Sequence, residues 1–216
     1  RIYLEGSLGR VIYAEGEYVH PTDSHSFNSI APGESHWRNW IPTTYYITHS
    51  LGPLMYITDG MPVEVNARAV ATPEYVKGTA RRNWESVGIT LCTMDNGAVY
   101  RVTGCAQFAG HGNWYRVACL KGAVESVRGK PGDVWLRYNS WEKPEGAEES
   151  KVYTAQWPYN AELAESAGHG GGDFWTTYNF IEAIKTGKQP YFDVYRGVAC
   201  TSVGILAWRS VLNGVA

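Results

Sequence analysis

The sequence predicts an α+β fold, in which a largely antiparallel, open-faced sheet has helices packed on one face. Six β-rich segments follow one another through the middle of the chain, at 63–70, 86–94, 98–108, 114–120, 123–127 and 134–138. Short turns rich in Gly, Asn, Asp and Pro separate several of them, as in consecutive hairpins. Helical patterns precede and follow this run, and that element order is typical of a sheet covered by helices.

The first part of the chain predicts one strand, one long loop and one helix. Residues 11–19 are rich in β-branched and aromatic residues, which favours a strand. Residues 20–43 contain Pro, Ser, Asn, Gly and three histidines, a composition typical of a loop. A helix is expected from Thr43 or Thr44, and Pro53 should strain or kink it near its middle.

The later elements are predicted from turn and cap residues. Asp95-Asn96-Gly97 is a strong hairpin turn. Residues 143–152 are charged and indicate a surface loop, whereas 173–186 form a helical stripe with Asp173 as the expected cap. A second long helix is expected over 194–212.

Composition excludes several classes of protein. The chain has 216 residues, of which 44% are hydrophobic and 19% charged, so a single domain over 1–216 with a sizeable core is expected. The formal net charge is −2 and no basic block offsets it, which argues against nucleic acid and anionic membranes as partners. No apolar run reaches the roughly 18–20 residues that a membrane-spanning helix needs.

The four cysteines predict core thiols. They are Cys92, Cys105, Cys119 and Cys200, and no pair has CxxC spacing. A zinc knuckle or redox dithiol is therefore not indicated. Buried thiols in a reducing compartment are expected in preference to disulfides, and this favours a cytoplasmic location.

A candidate ligand site lies where the long loop enters the first helix. Tyr46 and His49 are spaced i,i+3 and share a helix face, beside a loop that carries Arg38. Such a group can bind an oxygen-rich anionic or sugar ligand, and His49 can transfer a proton near neutral pH. The alternative is a structural histidine that donates to a backbone carbonyl.

Two further motifs are ambiguous. Residues 168–173 form a glycine-rich run that enters a helix, and it either presents N–H groups to a ligand or is a flexible lead-in. The group His20, Asp23, His25 and His36 matches no standard zinc spacing, so no metal site is predicted.

The ends of the sequence suggest a fragment of a longer protein. The chain opens without an initiator Met or a secretory hydrophobic region, and it closes in or just past an apolar helical pattern. Natural termini more often trail off in poorly ordered residues.

Five segments resemble, in order and spacing, the C-terminal domain of the Gfo/Idh/MocA oxidoreductases. They are residues 6–16, 48–53, 169–174, 180–187 and 190–195. The first resembles the stretch that leaves the nucleotide-binding domain of that family, and the second resembles its active-site histidine helix. The other three resemble its closing segment. The resemblance implies a C-terminal domain of the glyceraldehyde-3-phosphate dehydrogenase type.

The resemblance also implies NAD or NADP as cofactor. In that family an N-terminal Rossmann domain binds the dinucleotide, and this chain has no strand–GxGxxG–helix pattern. We therefore expect that domain to be absent from this chain and assign no cofactor-binding residue. Glu142-Lys143-Pro144 spells a motif of the family but lies in a predicted surface loop, so we interpret it as coincidence.

Within the family the motifs are most similar to the NAD-dependent α-N-acetylgalactosaminidase branch. That branch carries Tyr-Pro-Thr-His, where this chain has Ile47 in place of the Pro. Sugar dehydrogenases of the family place an Asp one turn before the histidine, where this chain has Tyr45. The resemblance implies catalytic roles for His49 and Tyr46, and substrate-binding roles for Tyr18, His20, Arg38, Thr48 and His169.

Three functions remain open from the sequence. The first is the substrate domain of an NAD(P)-dependent oxidoreductase acting on a sugar or polyol. The alternatives are an NAD-dependent glycoside hydrolase that works by transient oxidation and elimination, and a non-catalytic sugar-binding or assembly module. A homo-oligomer is expected to cover the open sheet face, which we expect to be too apolar for solvent.

Overall fold

A single sheet organises the protein. The computed structural model describes residues 1–33, 35–71, 85–108, 110–157 and 159–214, and eight strands within them form this sheet. The strands are β1 (Val11–Val19), β2 (Pro62–Ala71), β3 (Glu85–Met94), β4 (Val99–Thr103), β5 (Gly112–Cys119), β6 (Gly122–Ser126), β7 (Asp133–Tyr138) and β8 (Ser150–Thr154).

The helices are mostly short except near the C-terminus. They are α1 (Ser24–Ile30), α2 (Thr48–Thr58), α3 (Ala161–Glu165), α4 (Gly172–Thr186) and α5 (Val194–Leu212). Three 3₁₀ turns contain or precede candidate site residues. They are Trp37–Asn39, Thr43–Tyr46 and His169–Gly171. None of the described helices combines the length and apolar character needed to cross a bilayer.

The strand order shows how the sheet is assembled. It runs β2-β3-β4-β1-β5-β6-β7-β8, so the first strand of the chain lies between two antiparallel meanders. β1 pairs in parallel with β4 and antiparallel with β5, and every other neighbouring pair is antiparallel. The expected largely antiparallel sheet is confirmed, with β1–β4 as its parallel exception.

One face of the sheet packs against α2 and α5. α2 lies over β1, β4 and β5, whereas α5 lies over β2 and contacts α2. Leu51 and Leu54 of α2 are fully buried against strand residues such as Tyr100 and Val117. Full burial of a leucine side chain contributes roughly 1.5–3 kcal/mol. This layer is the core of the domain and it fixes α2 on the sheet.

Three glycines let the 3₁₀ turn Thr43–Tyr46 lie directly on the sheet and α5. A Cβ added at Gly104 would collide with the Thr43 carbonyl oxygen, and one at Gly204 would lie 2.8 Å from the Thr44 carbonyl oxygen. At Gly88 the added atom would lie 2.9 Å from Thr44 Cγ2. The start of α2 is therefore held by backbone contact on two sides.

The open face carries charge rather than the apolar surface that the sequence suggested. Glu15 accepts from Arg101 and Arg116, and Glu125 pairs with Arg116 and Arg137. These side chains project from β1, β4, β5, β6 and β7, opposite the helices. The expectation of an apolar face is wrong over these five strands, because their outward positions alternate in sign. Ile89 and Leu91 of β3 and Val99 of β4 are exposed apolar side chains beside them.

Two predicted loops contain regular structure. The segment 20–43 includes α1, whose N-cap Asp23 accepts from the Ser26 amide at 3.0 Å. The segment 143–152 includes the start of β8, an edge strand whose residues are all solvent-exposed. A strand that is exposed on both faces buries no apolar side chains, so its sequence lacks the alternation that identifies a strand.

Several strand and helix boundaries differ from those that the sequence predicts. The strand predicted over 98–108 ends at Thr103, where Gly104 meets the 3₁₀ turn. The helix expected from Thr43 begins as that 3₁₀ turn, becomes α-helical at Thr48 and continues through Pro53. Asp173 is not the cap of α4, since Gly171 occupies that position with φ 95°. The strand at 11–19, the Asp95–Gly97 hairpin and the long C-terminal helix are confirmed.

The cysteines are buried, as expected. Burial raises the pKa of the Cys92 thiol to about 12 and the pKa values of Cys119 and Cys200 to about 11. Cys105 is buried as well. Thiols with such pKa values remain protonated and behave as small apolar side chains. The cytoplasmic location stays a prediction.

Replacing Gly104 should destabilise the fold. In Gly104→Ala the new methyl group displaces the Thr43 carbonyl, and overpacking of this kind costs about 1–3 kcal/mol. Gly197→Ala is the matched control, because an added Cβ in this part of α5 has no neighbour within 4 Å. That control should gain about 0.5–1 kcal/mol from helix propensity. Urea titrations measure both free energies of unfolding, and similar effects at the two sites would contradict the close contact.

Candidate sugar-binding site

The candidate site lies where the C-terminal end of β1 meets the first turn of α2. A Cβ at Gly16 would collide with the Ser50 carbonyl oxygen, so this glycine lets α2 approach the strand closely. Tyr18 lies two residues further along the same face of β1. Its ring stacks on the His49 imidazole with centroids 4.3 Å apart and an interplanar angle of 19°.

Four of the predicted residues form one aromatic stack. Tyr46, at the end of the 3₁₀ turn, lies nearly parallel to His49 with ring centroids 6.3 Å apart. On the other side, Tyr18 stacks on His20 with centroids 5.6 Å apart. The stack is therefore continuous from Tyr46 through His49 and Tyr18 to His20. Faces of aromatic rings and ring N–H or O–H groups are suited to binding sugars.

A proline and a tyrosine fix the backbone at His49. Pro53 has no N–H to donate to the carbonyl four residues earlier, so the His49 carbonyl lacks its helical partner. The Tyr115 hydroxyl donates to that carbonyl oxygen at 2.7 Å. Burial raises the pKa of Tyr115 to about 12, so its hydroxyl keeps the proton that this bond requires.

The environment of His49 favours the neutral imidazole. The side chain remains accessible to solvent on one side. Partial burial lowers the pKa of His49, and the positive charges of His20 and His169 lower this pKa further. Burial and the nearby His111 also lower the pKa of His20. At neutral pH both rings can therefore accept a proton from a ligand.

The other predicted residues are not part of this stack, although the charge of His169 acts on His49. Thr48 is the first residue of α2 and is partly buried. Arg38 lies on the preceding segment, where its guanidinium carbon is 5.1 Å from the centroid of the Trp37 ring. His169 has φ 54° and its Nδ1 lies 2.9 Å from Asp173 Oδ1. Their roles in binding substrate stay predictions.

His111 belongs to the same cluster and was not found from the sequence. It lies in the loop between β4 and β5, and its Nδ1 is 2.9 Å from Nδ1 of His20. No motif marks it, since it is a lone histidine between two glycines. Only the strand register, which pairs Val19 with Gly112, brings the following His20 next to it.

The described residues offer no cradle for the pyrophosphate of a dinucleotide. α4 follows α3 and a 3₁₀ turn rather than a strand, unlike a Rossmann motif. The Asp173 carboxylate lies at its N-terminus, where a Cβ on Gly168 would be 2.5 Å from Oδ2. A carboxylate in this position occupies the place that an anionic ligand would take. Among the residues in the structure, no three His, Cys, Asp or Glu side chains converge to hold a metal ion.

Comparison with known proteins identifies the C-terminal part of the chain. Residues 114–216 match the family model described as "Glycosyl hydrolase 109, C-terminal domain". The match covers just under half of the chain. The resemblance to the glycosidase branch is thereby confirmed, although the matched region excludes the Tyr18–His49 stack.

Curated relatives match a longer part of the chain. A glycosyl hydrolase family 109 protein of Akkermansia muciniphila is 23% identical, with 97% of this chain and 50% of that protein covered. The alpha-N-acetylgalactosaminidase of Tannerella forsythia is also 23% identical and covers 99% of this chain and 54% of the relative. The chain spans about half the length of the curated relatives it matches.

Solved structures confirm the fold. Levoglucosan dehydrogenase, in a complex with NADH and L-sorbose, superposes with a TM-score of 0.74 at 16% identity, covering 98% of this chain and 59% of that one. An aldose–aldose oxidoreductase of Caulobacter crescentus gives a TM-score of 0.67 at 17% identity, covering 99% and 57%. At such identities the similarity establishes a shared architecture.

The contact between Tyr115 and the His49 carbonyl should depend on Pro53. Tyr115→Phe should cost about 0.5–1.5 kcal/mol of stability, the usual value of one hydrogen bond. In a Pro53→Ala background the helix supplies its own donor, so the same change should cost less. A double-mutant cycle measures this coupling from urea unfolding, with the exposed Tyr195→Phe as control. Strictly additive effects would show that the two residues do not share the carbonyl.

Proposed function

We propose that this chain supplies the sugar-binding and proton-transferring side of an NAD(P)-dependent enzyme that acts on a carbohydrate. The observation that carries the proposal is the stack of Tyr46, His49, Tyr18 and His20 around an accessible imidazole. Removal of hydride from a sugar carbon requires a base for the hydroxyl proton on the same carbon. A neutral, solvent-accessible His49 is suited to that task.

The tyrosines have a different role from the histidine in this proposal. Burial raises the pKa of Tyr18, so its hydroxyl stays protonated and can donate to a sugar oxygen. The Tyr46 ring also stacks on the His49 ring, with centroids 6.3 Å apart. The two phenols would orient the sugar, while the imidazole would take and return the proton.

The dinucleotide would be held outside the described residues. Asp173 occupies the glycine-rich helix start, and no other feature of the described segments resembles a pyrophosphate cradle. When bound, NAD or NADP supplies a hydride acceptor. Levoglucosan dehydrogenase, which shares this fold, forms a complex with NADH, and this supports a nicotinamide cofactor for the whole protein.

Transient oxidation followed by glycoside cleavage is favoured over net oxidation. The matched family is a glycosyl hydrolase family, and one relative is named alpha-N-acetylgalactosaminidase. Tyr45 also replaces the carboxylate that sugar dehydrogenases place one turn before the histidine. Incubating the full-length protein with NAD⁺ and an aryl α-N-acetylgalactosaminide distinguishes the two reactions. Aryl alcohol release without NADH accumulation indicates the glycosidase, and NADH accumulation indicates the dehydrogenase. If neither product forms, the result favours a binding module.

His49→Ala should lower kcat/KM of the full-length enzyme by about 10²-fold or more, as loss of a general acid–base does. His25→Ala is the control, because His25 is exposed on α1. Since a lowered pKa keeps His49 unprotonated at lower pH, the acidic limb of the wild-type kcat/KM profile should lie below pH ~6.5. Unchanged turnover in His49→Ala would contradict the role of His49 as the general acid–base group.

We also propose that the open sheet face contacts a second copy of the chain. Across a two-fold axis, the arginines of one copy can pair with the glutamates of the other. Leu91 and Val99 lie exposed beside them and can pack in the same interface. Leu91→Glu should lower the molar mass measured by light scattering. Leu206→Glu, at a leucine of equal exposure on α5, on the helix-covered side of the sheet, should leave it unchanged. A wild-type monomer at micromolar concentration would refute the interface.

A further inference from the structure

The imidazoles of His20 and His111 form a pair with a defined hydrogen-bond pattern. Their Nδ1 atoms are 2.9 Å apart, and the rings meet edge to face at 63° with centroids 4.6 Å apart. One Nδ1 must carry the proton and the other must accept it, so the two rings adopt complementary tautomers. Two protonated rings would present two N–H groups to each other, and the contact would break.

The loop that carries His111 also holds the backbone of His20. The His20 amide donates to the Ala106 carbonyl at 2.9 Å, and Gln107 Nε2 donates to the His20 carbonyl at 3.3 Å. The Gln107 side chain also accepts from the Thr22 amide at 3.2 Å. These bonds fix the main chain of His20 but leave the rotation and tautomer of its ring undetermined.

Two glycines give this loop the course that brings His111 back to β1. Gly110 and Gly112 have φ values of 97° and 145°, a region that residues with a Cβ rarely adopt. His111 itself is solvent-exposed, and its side chain both hydrogen-bonds and packs edge to face with the His20 ring. Because His111 is exposed, these contacts order the His20 ring rather than contribute to the hydrophobic core.

We propose that His111 is a positioning residue of the sugar site, which holds the His20 ring in one orientation and couples its tautomer to that of His111 through the Nδ1–Nδ1 hydrogen bond. Nε2 of His20 is then left for the ligand, where it accepts when Nδ1 of His20 carries the shared proton and donates when Nδ1 of His111 carries it. The inference rests on the proposed function, because His20 is placed in the site by its stacking on Tyr18. The other titratable groups around His20 are Tyr18, His49 and the Cys105 thiol.

The pairing can be tested in the full-length protein without any substrate. Two-bond ¹H–¹⁵N spectra of ¹⁵N-histidine-labelled protein report the tautomer of each ring. In the wild type we expect complementary signals, so that Nδ1 of His20 is protonated to the extent that Nδ1 of His111 is not, whereas in His111→Ala the His20 ring should revert to the tautomer mixture of a free histidine. In His111→Asn, whose side-chain amide can donate to or accept from Nδ1, the His20 tautomer populations should again differ from those of the alanine variant. His25→Ala should leave the His20 signals unchanged. An unaltered His20 tautomer in His111→Ala would overturn the proposal.

Kinetics then separate this inference from the proposed function. If the enzyme turns over a sugar, His111→Ala should lower kcat/KM about tenfold or more, as misplacement of a binding group does, and His111→Asn should recover most of it. Normal kinetics in His111→Ala, with its tautomer mixture present, would overturn the positioning role. If no sugar is turned over, the proposed function fails while the spectra still decide whether His111 orders His20.

Discussion

The site depends on backbone contact between the sheet and the segment that leads into α2. Gly16 lets the Ser50 carbonyl lie on β1, and Gly104 does the same for the Thr43 carbonyl at the end of β4. A side chain at either position would push the segment 43–50 away from the sheet. Stacking between Tyr18 and His49 requires ring centroids to stay within a few ångströms, so these contacts set the geometry on which any chemistry depends.

The same arrangement sets the protonation state of the site. Four histidines, His20, His49, His111 and His169, lie close enough that charge on some of them lowers the pKa of others. The lowered pKa values of His20 and His49 keep these two imidazoles neutral at a lower pH than a free histidine. The two rings thus offer proton acceptors rather than fixed positive charge, which suits an uncharged sugar better than an anion.

The two faces of the sheet differ in composition and in role. The helix-covered face supplies the apolar core and, at the end of β1, the aromatic stack. The opposite face has interleaved arginines and glutamates, with Arg116 and Arg128 over the Trp114 ring and Arg137 over the Trp135 ring. Such a surface can remain in solvent or pair with a like surface, so the face that lacks helices does not weaken the fold.

Elements with local signals could be predicted from the amino-acid sequence. β-branched and aromatic residues predicted β1, Asp95-Asn96-Gly97 predicted its hairpin, and apolar periodicity predicted α5, because side-chain pattern and turn chemistry act over a few residues. The i,i+3 spacing of Tyr46 and His49 likewise indicated a shared face. The edge strand β8 and the capped helix α1 were missed, since neither buries a continuous apolar face.

Contacts between residues far apart in the chain could not be predicted in this way. Tyr115 reaches the carbonyl that Pro53 leaves without a donor, and His111 reaches His20 across 91 positions of sequence. The insertion of β1 between β4 and β5 creates both contacts, and no local pattern encodes a strand order. The sequence contains the charged residues of the open face. Their ion pairs across five strands depend on strand register, which long-range packing fixes.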